Sequence, residues 1–206
     1  MKQQSFLRTA LMAAILAVAS VEASASHITY EVRSITSGAY SDYAAGWGAQ
    51  TSSITSRSLS DFTGTYGGNS TYSHLLVNFN VSSLNAGGVA NFQLAPDAGF
   101  GGALYLDGIQ VDLDHSDLWW GYNWANTSEL LLGSLTSLTQ GAHVLEAFWA
   151  EGCCNGGQGA RFNIKGGNFQ TLSVSNLDRL AVPEPGSLAL IGLGLAGMAA
   201  LRRRKD

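Results

Sequence analysis

Between residues 26 and 182 the chain carries no helical or heptad period. Short alternating runs rich in Val, Tyr, Phe, Leu and Thr recur instead, separated by clusters of Gly, Asn, Ser and Asp. A period of two sends successive side chains to opposite faces, so each run can bury one face and wet the other. Residues 27–35, 73–81, 89–94, 103–111, 128–132, 142–150, 159–164 and 169–174 are predicted strands on this pattern. Strands of this kind cannot cover their apolar faces singly, and two antiparallel sheets packed face to face satisfy them all. The predicted fold class is therefore all-β, an antiparallel β-sandwich. Residues 39–69 are poorer in apolar side chains and crowded with Ser, Thr and Gly, which predicts long loops with one weak strand. They hold no regular Thr-x-Thr array and are assigned no site.

Both ends of the sequence read as addresses. Lys2 and Arg8 precede an apolar core over residues 10–19, and Ala23-Ser24-Ala25 supplies the small residues that signal peptidase requires. This predicts a signal peptide over residues 1–25, cleaved before Ser26. At the other end, Val182-Pro183-Glu184-Pro185-Gly186 cannot propagate helix or sheet. Residues 187–201 carry no charge, and Arg202-Arg203-Arg204-Lys205 resist crossing a membrane. The apolar stretch is shorter than the roughly 20 residues that span a bilayer comfortably. Gly192, Gly194 and Gly197 interrupt it, so it is predicted as a transient inner-membrane anchor. This order of parts resembles the PEP-CTERM sorting signal. The resemblance implies recognition and removal by an exosortase in exopolysaccharide-producing bacteria. The expected organisation is a signal helix (1–25), one β-sandwich domain (26–182) and a sorting segment with an apolar helix (183–206). The expected destination is the cell envelope, outer surface or extracellular matrix.

The formal charge of −4 hides an asymmetry. Residues 26–182 hold five cations against twelve anions, a formal −7. Such a surface repels nucleic acid, which excludes it as a partner, and suits solubility, divalent cations or neutral glycans.

Within the predicted domain, Phe92-Gln93-Leu94-Ala95-Pro96-Asp97-Ala98-Gly99 is followed by Ala103-Leu104-Tyr105-Leu106-Asp107-Gly108. Further on come Leu138-Thr139-Gln140-Gly141-Ala142-His143 and the glycine-rich Gly156-Gly157-Gln158-Gly159-Ala160. In this order they resemble the lectin-like, jelly-roll type β-sandwich found in the anthrax protective antigen, flocculins and many glycosidases. The resemblance implies carbohydrate binding. In sugar-binding members it also implies a calcium ion held by two adjacent aspartates and an asparagine from the later loop. Here Pro96 stands in place of the first aspartate, leaving Asp97 and Asn155 as the candidate Ca²⁺ pair. Calcium takes six to eight oxygens, so losing a carboxylate weakens or abolishes the site. Asp112, Asp114 and Asp117 form an alternative metal set, or a solvated acidic turn, and lack the glycine and glutamate of an EF-hand loop. No cofactor is required.

Trp119-Trp120-Gly121-Tyr122-Asn123-Trp124 follows directly. Alternation along an extended segment would place Trp120, Tyr122 and Trp124 on one face, a candidate glycan platform with Asn155, although such aromatics also serve as core. Asp107-Gly108 suits a tight hairpin turn. Cys153 and Cys154 are the only cysteines, and export favours their oxidation. Adjacent Cα atoms lie about 3.8 Å apart against a usual disulfide span of about 4.4–6.8 Å, so a vicinal bond would be strained. Bonds to other molecules are the alternative. Cys-Cys-Asn-Gly also resembles the CCXG family of PEP-CTERM proteins. The chain has no Gly-x-Ser-x-Gly, no His-Glu-x-x-His and no Ser/His/Asp set, and Glu146 and Glu151 flank one strand without an assignable role. The expected function is an exported, exosortase-processed, non-enzymatic binding protein for carbohydrate, with exopolysaccharide as the partner. A matrix protein cross-linked through its cysteines is the alternative.

Overall fold

The alternation becomes two antiparallel sheets in the computed structural model, which describes residues 25–181. The predicted signal peptide through Ser24, and the sorting segment from Val182 through Arg202, Arg203 and Arg204, lie outside the described residues. The elements are β1 (His27–Ser34), α1 (Tyr43–Ala49), β2 (Thr55–Leu59), β3 (Thr63–Thr65), β4 (Thr71–Val81), β5 (Ala90–Ala95) and β6 (Asp97–Ala98). There follow β7 (Gly102–Leu106), β8 (Ile109–Asp114), β9 (Leu118–Trp119), β10 (Leu131–Leu135), β11 (Gly141–Glu151), β12 (Gln158–Ile164), β13 (Gln170–Thr171) and α2 (Val174–Ala181). One sheet has the order β2-β1-β4-β11-β7-β8, and the other β10-β5-β12-β13 with β3 also paired to β12. A short ladder joins β6 to β9. The chain crosses between the sheets from β4 to β5, from the β7–β8 hairpin to β10, and from β11 to β12, so the apolar side of each long strand meets its partners across the sandwich.

Every second residue carries the core. Ile28 and Tyr30 of β1, Leu75, Val77 and Phe79 of β4, and Leu145, Ala147 and Trp149 of β11 face Phe92, Leu94, Leu131 and Phe162 of the opposing sheet. Each fully buried aliphatic or aromatic side chain of this kind stabilises the fold by about 1.5–3 kcal/mol. The outer face of the larger sheet is dry only under α1, where Tyr43 packs with Tyr72, Ala103, Phe148 and Ala150. Beside that patch His74 stacks on Phe148 (4.4 Å) and bridges two carboxylates. Its Nδ1 meets Glu31 (3.0 Å) and its Nε2 meets Glu146 (2.9 Å), tying β1, β4 and β11 side to side.

Two of the sequence motifs prove to be one brace. Asp107 (φ 51°) and Gly108 (φ 77°) both take the left-handed conformation, as a two-residue hairpin between β7 and β8 requires. The Asp107 carboxylate accepts from Val144 N (2.9 Å) and meets His143 Nδ1 (2.8 Å). His143 Nε2 donates to the Thr139 carbonyl (2.9 Å), fixing the loop that leads into β11.

The departures from the predicted strands have local causes. Residues 103–111 are two strands, because the Asp-Gly turn splits them. Residues 39–69 hold α1, β2 and β3 rather than loops with one weak strand. Asp42 caps α1 by accepting from Ala45 N (2.9 Å), and Tyr43 anchors it beneath Tyr72. Residues 127–129 form a 3₁₀ turn, so that strand begins at Leu131. Of the last predicted strand only Gln170–Thr171 forms a ladder, with an isolated bridge from Ser173 to Asp61, because Ser173 Oγ accepts from Asn176 N (3.2 Å) and starts α2.

Candidate functional site

The β6–β9 ladder sets Asp97 opposite Trp119 at one end of the sandwich. The loop leaving β11 at Glu151 arrives at the same end. Together these segments form a pocket of about 470 Å³ lined by Asp97, Phe100, Asp117, Trp119, Glu151 and Cys153, among others. Glu151 is 3% exposed and accepts from Gly99 N (2.8 Å) and Cys153 N (2.6 Å), while Asp97 accepts from Gly156 N. Burial raises the pKa of Asp97, against the Gly156 hydrogen bond that lowers it, and Asp117 adds to the rise. Burial likewise raises Glu151, opposed by the Gly99 bond and reinforced by Asp97. Ionised carboxylates accept but cannot donate, so this pocket favours a ligand rich in hydroxyl or ammonium donors.

Trp120, Tyr122 and Trp124 do converge, but by a turn rather than by strand alternation. Gly121 (φ 59°) and Tyr122 (φ 59°) fold residues 120–124 back on themselves. The Trp120 ring centroid then lies 4.7 Å from that of Trp124 and 5.2 Å from that of Tyr122. Trp120 is 7% exposed and donates from Nε1 to the Gly157 carbonyl (2.9 Å), so it forms the base of the group rather than an open face. Tyr122 is 58% exposed, and its hydroxyl accepts from Gly157 N (3.1 Å). On their far side lies a second pocket, about 370 Å³, walled by Trp124, Arg161 and Phe169. Trp119 turns the other way into the acidic pocket, edge-on to Tyr122 at 5.5 Å. The aromatic turn is thus a wall between two pockets of opposite character.

The residues do not fit the calcium set that the sequence resemblance implied. Asn155 uses its side-chain oxygen to accept from Gly68 N (2.8 Å), which ties two loops together. One Asp97 oxygen is occupied by Gly156 N. The alternative trio is dispersed, since Asp112 accepts from Leu113 N and Leu132 N, Asp114 from Ser116, and only Asp117 reaches the pocket. Among the described residues no three His, Cys, Asp or Glu side chains converge with metal-binding geometry.

Cys153 and Cys154 stand at the pocket rim as exposed free thiols, not as a bonded pair. Contact with Cys154, and after it desolvation and then the carboxylates of Glu151 and Asp117, raises the pKa of Cys153 and favours its neutral thiol. Sequence reasoning missed Glu151, Trp119, Arg161 and Phe169 as site residues. Glu151 was within reach: it shares the inward parity of Leu145, Ala147 and Trp149, where a carboxylate is out of place unless it has work to do.

Residues 181–205 match the PEP-CTERM protein-sorting motif, which implies export to the cell envelope or surface. The fold is similar to that of solved PA14 domains. The PA14 domain of the antifreeze protein MpAFP is 13% identical, with 72% of this chain and 87% of that one covered at a TM-score of 0.50. The A domain of epithelial adhesin 6 from Candida glabrata, solved in complex with Galβ1-3GlcNAc, is 7% identical, with 76% and 88% covered at a TM-score of 0.50. No curated protein matches the chain in sequence.

Proposed function

We propose that this is an exported, exosortase-processed surface protein whose body is a non-enzymatic carbohydrate-binding domain, with exopolysaccharide as its ligand. The observation that carries the reading is the aromatic turn of Trp119, Trp120, Tyr122 and Trp124 standing between two pockets at one end of the sandwich. Aromatic faces pack against the C–H side of a pyranose, and buried carboxylates accept from its hydroxyls. The adhesin that shares this fold was solved with a disaccharide, which supports the same use here. A hydrolytic role is disfavoured because Glu151 and Asp97 are engaged by backbone amides as loop staples.

The predicted cleavage point suits this processing. The amide of Ser26 donates to Asp178 Oδ1 (2.7 Å), so the amino group freed by cleavage after Ala25 would gain a charged partner on α2, beside the start of the sorting motif.

The expected result is retention of the exported protein on the polysaccharide of the producing cells. Trp119→Ala and Trp124→Ala should each weaken retention about tenfold, as loss of a stacking aromatic at a hot spot does. Affinity electrophoresis in gels cast with the polysaccharide measures this, and migration of the wild type unchanged by any glycan would refute the reading.

A further inference from the structure

The second pocket holds an arginine whose charge no carboxylate answers. Arg161 leaves β12 on the outward face of the smaller sheet, paired across the strands with Gln93. Its guanidinium carbon lies 4.5 Å from the Trp124 ring centroid and 4.3 Å from that of Phe169, and Nε donates to Gln93 Oε1 (2.6 Å). Among the described residues the ion pairs within 4 Å all involve His74 or His143, and none involves Arg161. The other described cations form no such pair either, but they stack on one ring or on none. This one is held by two rings and aimed by an amide, with Nη1 and Nη2 left as a free fork of donors. Burial lowers its pKa, as expected for a partly desolvated charge without a counterion. An anion entering the pocket would offset that desolvation.

We propose that this pocket binds a carboxylate-bearing pyranose, a uronate unit of a polysaccharide. The carboxylate takes two parallel hydrogen bonds from the Arg161 fork, the geometry that guanidinium and carboxylate share. The C–H face of the ring lies against the exposed Tyr122, and Thr63, Gln170 and Thr171 on the pocket wall meet its hydroxyls. The aromatic walls offer a free inorganic anion nothing, which is why the sugar is favoured over sulfate or phosphate alone. This assignment rests on the carbohydrate-binding reading and names the class of sugar.

The test uses the exported protein and two probes: polygalacturonate, and the same polymer with its carboxyls reduced to hydroxymethyl groups. Wild type should bind polygalacturonate at least tenfold more tightly than the reduced polymer, and added salt should narrow the gap. Arg161→Gln should abolish the preference while melting at the wild-type temperature, and Arg161→Lys should restore it only in part, because an ammonium keeps the charge without the fork. Equal binding of both polymers, an unchanged preference in Arg161→Gln, or competition by sulfate as strong as by galacturonate would each overturn the uronate assignment while leaving carbohydrate binding intact. Retention on neither probe nor on any neutral glycan would remove the underlying reading and this one together.

Discussion

Trp149→Ala should destabilise the protein by about 3–5 kcal/mol, the range for deleting a buried aromatic, and lower its melting temperature by roughly 6–20 °C. Trp149 is fully buried near the middle of the sandwich, stacked on Tyr30 at 5.8 Å and edge-on to Phe62 at 6.1 Å. Its Cβ sits so close to Gly102 that a methyl group there would lie 2.7 Å away, so the sheet closes around the indole and cannot collapse into its absence. Trp149→Phe should behave differently. The indole Nε1 is buried without a hydrogen-bond partner among the described residues, and phenylalanine removes that unsatisfied donor together with part of the ring. The expected cost is below about 1.5 kcal/mol, near that of a shape-conserving swap. Urea denaturation of the exported protein reads both values, and equal losses for the two variants would show that a phenyl ring does not refill the space the indole leaves.

The sandwich was legible in the sequence because half-buried strands must alternate, and β1, β5 and β12 do so cleanly while β4 and β11 do so over part of their length. The Asp107-Gly108 turn was legible for a similar reason: few other dipeptides accept two left-handed residues in succession. What it also does was not legible, because the contact of Asp107 with His143 spans 36 positions in sequence and depends on register. The helix at Tyr43–Ala49 was hidden by its length, since seven residues are too few for a periodic signal and its stability comes from Tyr43 under Tyr72. The aromatic cluster was found for the wrong geometric reason. A period of two picked Trp120, Tyr122 and Trp124, while the left-handed turn at Gly121 and Tyr122 brings them together and sends Trp119 into the other pocket. The acidic pocket joins Asp97, Asp117 and Glu151 from three separate segments, and no local pattern connects them.

Gly156→Ala should cut binding in the acidic pocket by about a hundredfold while changing stability by no more than about 1–2 kcal/mol, within the ordinary range for a point change. A Cβ at this position would stand 2.3 Å from Cζ3 and 2.6 Å from Cη2 of Trp119, far inside contact distance. One of the two must move. Trp119 is 41% exposed, so it can swing into solvent at little expense to the fold, and in doing so it abandons the pocket wall. The added methyl would also crowd Asp97 Oδ2 at 3.2 Å, the oxygen that accepts from Gly156 N, so aromatic and carboxylate are displaced together. That joint displacement is why the expected loss exceeds the tenfold effect of deleting the indole alone. A double-mutant cycle decides the mechanism. If Gly156→Ala acts largely through the indole, its effect on polysaccharide retention shrinks to the remaining Asp97 share, about tenfold, in a Trp119→Ala background. If the full hundredfold loss persists there, the alanine acts by reshaping the loop from Gly152 to Gly157, and Trp119 is not its route. The ¹⁵N-indole resonance of Trp119 supplies a readout that needs no ligand: it should shift toward the solvent-exposed position in Gly156→Ala, while the resonance of Trp149 in the core stays where it is.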